Sequence, residues 1–208
     1  FPNTGVFDER KTVLTGNPTR RGFFKNEESK KNDIPIIFIT GGSRGSQIIN
    51  EKVLKVLPQL LIKYKIYHQT GSFDYKKTEQ AKSRLPQNLK ARYFPSTNYE
   101  PSMFEKILKL CDLVISRAGA NTVLEIAAVG RSAILIPISW SGGGEQVKNA
   151  ELLGKTGLAR VLSQQSLSGE ALLANVEEVF KNPPSNDAKV EARRLVVPQA
   201  AKNLAQLV

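Results

Sequence analysis

Two kinds of block alternate along the chain: short runs of nearly continuous apolar residues, and longer segments with apolar positions every three or four residues. Ile34 to Thr40 (IPIIFIT) is nearly all apolar, as a strand buried on both faces should be. It ends at Gly41-Gly42-Ser43-Arg44-Gly45-Ser46, after which Ile48, Ile49, Val53, Val56, Leu57 and Leu60 form the broad stripe of one amphipathic helix. Lys65 to His68 predicts the next strand, closed by Gln69-Thr70-Gly71, and a polar helix follows from Tyr75 to Ser83. Ala91 to Phe94 reads as a short strand. Ser102 to Leu110 reads as a helix with Met103, Ile107 and Leu110 on one side. Asp112 to Ser116 is another buried strand, then Arg117-Ala118-Gly119-Ala120 leads to a helix from Thr122. Ser132 to Ile138 predicts a strand that passes through the glycine-rich Ser141 to Gly144 into a helix from Glu145 to Lys155. Leu158 to Leu162 is the last strand, and the chain from Ser166 is helical with a break near Asn182-Pro183-Pro184. Ahead of all these, Thr12-Val13-Leu14 predicts a brief strand ended by Gly16-Asn17-Pro18, and Asn26 to Asp33 a polar surface loop.

Strand and helix alternate about six times. That is the pattern of an α/β fold, a Rossmann-like parallel sheet with helices on both faces. Residues 1–208 are expected to form one domain, with 185–208 as a helical tail. In such sheets ligands sit beyond the carboxyl ends of the strands, so the loops that follow strands carry the functional information.

Composition narrows the classes. The chain has 208 residues, enough for one full α/β domain with a sizeable core. No apolar run approaches the ~20 residues of a membrane-spanning helix, and Phe1 to Arg10 lack the features of a secretory signal. The absence of an initiating Met suits a segment of a longer protein. A single cysteine, Cys111, cannot form an internal disulfide, and no Cys/His cluster offers a zinc site, so a reducing cytoplasm is expected. The net charge of +11 favours anionic partners: a nucleotide diphosphate, nucleic acid or an acidic membrane surface. The basic residues are dispersed, as on an ordinary solvated surface, and nucleic-acid binding would rest on charge alone, with no aromatic-basic motif.

Three loops carry candidate chemistry. Gly42, Ser43 and Gly45 stand at a strand-to-helix junction, where glycines permit close backbone approach and a helix N-terminus offers N–H groups to an anion. The loop suits a diphosphate and equally suits a plain tight turn; it matches neither GxGxxG nor a Walker P-loop. In Asn121-Thr122-Val123-Leu124-Glu125, Thr122 and Glu125 have the spacing of a capping box. A carboxylate there is also placed to accept both hydroxyls of a ribose, and both readings stay open. Gln146 and Asn149 share a helix face, where amides fit sugar hydroxyls or simply a polar first turn. Arg20 follows the rigid turn Gly16-Asn17-Pro18-Thr19, and its guanidinium suits phosphate. His68, the only histidine, sits at a strand end and reads as packed and hydrogen-bonded rather than catalytic.

In order along the chain stand Thr15-Gly16-Asn17-Pro18-Thr19-Arg20, the Gly-Gly-Ser-x-Gly loop and His68-Gln69-Thr70-Gly71. Ser116-Arg117-Ala118-Gly119-Ala120 through Glu125 and Gln146-x-x-Asn149-Ala150 follow. Together these motifs resemble the C-terminal half of the MurG family, glycosyltransferases of family 28, over nearly the whole chain from Thr12. The resemblance implies one half of a GT-B architecture that binds UDP-N-acetylglucosamine, with transfer of the sugar to the undecaprenyl-linked lipid I to give lipid II for peptidoglycan. It places Ser43 and its neighbours, with Arg20, at the diphosphate, and the backbone around Glu100 to Met103 at the uracil edge. Asn121 and Thr122 would lie against diphosphate and nucleoside, Glu125 on the ribose, and Gln146 and Asn149 on the N-acetylglucosamine. The implied chemistry is direct displacement with inversion, without metal or cofactor, at the inner face of the bacterial plasma membrane. Peripheral contact with anionic lipid is an expectation that the net charge of +11 adds.

Ser46 stands where the family usually has Ala, and Gly144-Glu145-Gln146 where it often has Asp-His-Gln. The acceptor half, with the candidate general base, is expected outside this sequence, so the catalytic residues are not assigned and this chain alone is not expected to turn over. Three other readings share parts of the pattern. One is a stand-alone UDP-sugar-binding subunit that completes its site with a membrane partner, and another is half of a UDP-N-acetylglucosamine epimerase. The third, an NAD-linked Rossmann enzyme, lacks both the glycine fingerprint and the acidic residue after the second strand.

Overall fold

The computed structural model describes residues 12–24, 32–140 and 142–207. Among these, six strands form one parallel sheet in the order β3-β2-β1-β4-β5-β6. They are β1 (Ile36–Thr40), β2 (Lys65–Gln69), β3 (Tyr93–Ser96), β4 (Leu113–Ser116), β5 (Ser132–Leu135) and β6 (Ala159–Val161). β1 and β4 are adjacent at the centre, with Phe38 opposite Val114 and Thr40 opposite Ser116. All residues of both strands are buried, which explains their continuous apolar pattern.

Side chains leave the sheet alternately toward two helical layers. On one face Phe38, Val114, Ala133 and Leu135 pack beneath α5 (Pro101–Leu110), α6 (Ala120–Val129), α7 (Glu145–Lys155) and α9 (Asn186–Arg193). On the other face Ile37, Ile39, Leu113, Ile115 and Ile134 pack beneath α1 (Gln47–Lys55), α2 (Leu57–Lys63) and α8 (Gly169–Lys181). Each fully buried Ile contributes about 1.5–3 kcal/mol of transfer free energy. The Rossmann-like class is as expected.

Several local expectations are corrected. Residues 12–14 form no strand; Val13 and Leu14 are 67% and 62% exposed and pair with no other strand. The single helix expected over Ile48 to Leu60 is two, α1 and α2, parted at Val56. Pro58 lacks an N–H and clashes with the preceding turn, so it belongs in a new first turn, not in a helix interior. A short helix, α4 (Gln87–Lys90), occupies the chain before β3 and moves that strand to Tyr93–Ser96; α3 (Tyr75–Ser83) falls as expected. In α5 the buried residues are Ile107 and Leu108, with Phe104 packed against the same cluster, whereas Met103 and Leu110 are exposed. Of the polar loop expected at Asn26 to Asp33, only Asn32 and Asp33 are among the described residues.

The last helices return to the first of the described residues. α9 packs on α6, and Val196 and Ala200, the latter opening α10 (Ala200–Ala205), are buried. Asn203 Nδ2 donates to the Thr15 carbonyl at 3.3 Å. Gly16 has φ +81°, and a Cβ there would stand 2.6 Å from the Val197 Cβ, so only glycine fits beneath the tail.

Candidate functional site

The connections that leave β1 and β4 diverge. β1 leads through residues 41–46 to α1 on one face, and β4 leads through 117–119 to α6 on the other. The two loops separate at the carboxyl edge of the sheet, the point where open α/β sheets form crevices. A hollow of about 450 Å³ opens there, lined by Gly41, Gly42, Gly45, Ser46 and Gln47 on one side. Arg117, Gly119, Thr122, Ile138 and Gln146 line the other.

Neither helix that points at this hollow is capped by a side chain. α1 has Ser46 at its N-cap and α6 has Gly119, and neither makes a capping hydrogen bond. The first N–H groups of both helices, with the positive ends of their dipoles, are therefore available to an anion. A Cβ at Gly42 would meet open space, so the backbone there is accessible from the hollow. At Gly45 the reverse holds. It has φ +75°, and a Cβ would sit 2.0 Å from the Thr70 carbonyl, because this loop and the Gly71 turn pack backbone to backbone.

That packing is backed by a buried polar chain. Asn50 Nδ2 donates to the Thr70 carbonyl and to Asp74 Oδ2, each at 2.8 Å. Its Oδ1 lies 2.9 Å from His68 Nε2, and Tyr93 Oη lies 2.9 Å from His68 Nδ1. Because Asn50 Oδ1 can only accept, Nε2 carries the proton and Nδ1 accepts from the tyrosine. Burial pushes the His68 pKa down to about 3. The lone histidine is thus a neutral brace behind the glycine loop, as expected from its place in the chain.

Glu125 is where the sequence left two readings open. α6 begins at Ala120, two residues before the expected start, so Thr122 lies inside the first turn and cannot be an N-cap. The capping-box reading is removed, because the residue in the cap position has no side chain. Glu125 is instead 8% exposed, with its Oε1 3.8 Å from Arg20 Nε. Burial raises its pKa, and the Arg20 charge opposes that rise. Arg20 also donates to the Pro101 carbonyl at 3.3 Å and stacks over Phe104, which ties it to the α5 N-terminus; Arg20, Asn121, Glu125 and Asn149 do not themselves line the hollow.

The remaining expected residues are placed as follows. Gly42, Gly45, Thr122 and Gln146 line the hollow, and Ser43 is exposed on the same turn. Asn121 Oδ1 accepts from Asn17 Nδ2 at 2.6 Å, tying α6 to the Arg20 segment. Gln146 Oε1 accepts from the Ile138 N–H at 3.1 Å, which leaves its NH2 as the donor group. Asn149 is buried, and its Nδ2 donates to the Ala118 carbonyl at 3.1 Å, so it also fixes the loop after β4. Glu145 opens α7 and is exposed. Two residues of the hollow had no role assigned from sequence, Ser46 and Arg117, and both hold buried polar atoms without a hydrogen-bond partner. Among the described residues no cluster of three or more His, Cys, Asp or Glu could hold a metal ion, and no helix is long and apolar enough to cross a membrane.

The model of the glycosyltransferase family 28 C-terminal domain matches residues 36–207. Over 183 residues the chain is 34% identical to the UDP-N-acetylglucosamine–N-acetylmuramyl-(pentapeptide) pyrophosphoryl-undecaprenol N-acetylglucosamine transferase of Clostridium perfringens; the match covers 84% of this chain and 48% of the relative. The same-named transferase of Clostridium botulinum is 36% identical over 181 residues, covering 83% and 48%. The crystal structure of Acinetobacter baumannii MurG superposes with a TM-score of 0.71 at 28% identity, over 86% of this chain and 50% of that one. The chain spans about half the length of the curated relatives it matches.

Proposed function

The chain belongs to the glycosyltransferase family 28 C-terminal domains, and on that premise we propose that it binds UDP-N-acetylglucosamine as the donor half of an N-acetylglucosaminyltransferase. The observation that carries this reading is the convergence of two uncapped helix N-termini, those of α1 and α6, on one hollow at the switch point of the sheet. A pyrophosphate there meets the first N–H groups of α1 and α6 and two favourable dipoles, while the Gly42 and Gly45 N–H groups hold the loop by donating to Thr40 Oγ1 and the Gly42 carbonyl. Ser43 adds a hydroxyl, and Arg20 a guanidinium on the neighbouring wall.

The ribose hydroxyls are assigned to the Glu125 carboxylate, and the uracil edge to the backbone at Glu100 to Met103. Asn121 and Thr122 lie between diphosphate and nucleoside. The Gln146 amide reaches the sugar, with Asn149 behind it. The acceptor, a lipid-linked muramoyl-pentapeptide, would be presented by the other half of the full-length enzyme. Transfer is then direct displacement with inversion, in which the helix N-termini stabilise the charge of the departing UDP without a metal ion. The charge of +11 also suits peripheral contact with the anionic inner face of a membrane, to be tested as salt-sensitive binding to acidic vesicles; its absence would remove that part.

The test is calorimetry on this chain with UDP-N-acetylglucosamine, UDP-glucose, UDP and NAD in the presence of EDTA. The expected result is binding of the uridine ligands, tightest with the N-acetyl sugar, and none of NAD. Binding of NAD, or of no uridine ligand, overturns the proposal.

A further inference from the structure

Arg117 is a buried cation without a counter-charge. It is 8% exposed and lines the hollow from the loop after β4. Its Nη1 donates to the Ile136 carbonyl at 2.9 Å and its Nη2 to Gln164 Oε1 at 2.6 Å, both neutral acceptors. Its Nε has no partner. Burial alone bears on the guanidinium, lowering its pKa, and no carboxylate among the described residues offsets that. Glu125, on the helix that follows this loop, is already matched by Arg20. Across the hollow Ser46 Oγ is another buried polar atom without a partner.

A buried charge held only by neutral groups is costly, and proteins normally pair it. Here two of the three unsatisfied atoms among the described residues border one cavity, the third being Arg131 Nε elsewhere, and that cavity is lined by glycine backbone and by helix N-termini that also favour negative charge. We propose that Arg117 is the positioning cation of this site and takes its counter-ion from the bound diphosphate, with the Ser46 hydroxyl turning toward the same anion. The inference rests on the donor-binding reading above and deepens it. It predicts that the empty site is under electrostatic tension that the diphosphate relieves. Through-space attraction across a poorly solvated wall suffices, so no direct contact with Nε is required.

The experiment compares wild type, Arg117→Met and Arg117→Lys for binding of UDP, uridine and inorganic pyrophosphate, with thermal unfolding of each empty protein. Arg117→Met is expected to lose at least tenfold in UDP affinity and little in uridine affinity, while the empty protein unfolds no earlier. Arg117→Lys keeps the charge and is expected to stay within about threefold of wild type for UDP. Equal losses for UDP and uridine, or a folded Arg117→Lys that has lost UDP tenfold, would show a structural tether only and overturn the proposal. If Arg117→Met does not fold, the lysine variant decides alone. If wild type binds no uridine ligand, the donor reading fails, and pyrophosphate then tests Arg117 by itself. Stabilisation by pyrophosphate that depends on Arg117 supports the inference; stabilisation indifferent to Arg117, or none, ends it.

Discussion

Glu125 and Arg20 meet at 3.8 Å although more than a hundred residues separate them in the chain, and Arg20 is in turn held by the Pro101 carbonyl. The acid is therefore oriented before any ligand arrives, and its burial on α6 contributes nothing to capping that helix. Glu125→Ala is expected to weaken UDP binding at least tenfold, about 1.4 kcal/mol, while leaving the urea midpoint of the empty protein nearly unchanged. A large fall in that midpoint with unaltered affinity would return Glu125 to a purely structural role.

Gln146 contributes its amide NH2 to the hollow, since its oxygen is taken by Ile138 N–H. Gln146→Ala is expected to cost more in affinity for UDP-N-acetylglucosamine than for UDP, measured by calorimetry on both. Equal losses would remove it from the sugar site.

The two loop glycines separate fold from ligand. Gly45→Ala forces a Cβ onto the Thr70 carbonyl at positive φ and is expected to destabilise the protein by about 1–3 kcal/mol or more. Gly42→Ala has only the positive φ to accommodate and should cost about 1–2 kcal/mol, yet it places a methyl group where the diphosphate approaches. Urea denaturation and UDP titration of both variants should give opposite rankings; the same ranking in both measurements would refute the distinction.

His68 sets a pH limit. Its folded pKa, about 3, lies below the unfolded value of 6.5, so between these the unfolded chain binds the extra proton. Stability is unaffected above pH 6.5 and is lost as pH falls from about 6.5 toward 3, by up to about 1.4 kcal/mol per pH unit from this group. As the only histidine it gives a single set of imidazole nitrogen NMR signals, expected to show the Nε2–H tautomer from pH 7 to 5. A ring that titrates near 6.5 in the folded protein would contradict the buried network.

Trp140 is the only tryptophan and is 71% exposed, two residues beyond Ile138 in the wall of the hollow. Its emission is expected to change when UDP-N-acetylglucosamine binds. An unaltered spectrum at saturating ligand would place the sugar away from this loop.

The central strands were legible because burial on both faces leaves β1 and β4 apolar except at their last residues, Thr40 and Ser116, and the glycine loops mark their ends. Helix boundaries were less so. Thr122-x-x-Glu125 has the form of a cap, but an extended Gly119 lets α6 start earlier, and sequence spacing does not report backbone dihedrals. α4 is a single turn and shows no periodicity, and the inward face of α5 was misjudged because Phe104 and Leu108, not Met103 and Leu110, meet the core. The site loops were found by residue type. Arg117 was in plain view within its motif, but that it is buried and lacks a carboxylate depends on what folds around it, which no local pattern records.

The clasp between Thr15 and Asn203, with Gly16 under Val197 and Ala200, also fixes a schedule. On a ribosome the sheet can assemble while the last helices are still unmade, and the segment that carries Arg20 can already lie against Pro101, Phe104 and Asn121, but its Thr15-Gly16 end stays uncovered until Val197 to Asn203 emerge. The cover over the start of this segment is thus among the last parts of the domain to be finished, after the contacts that hold Arg20 beside Glu125.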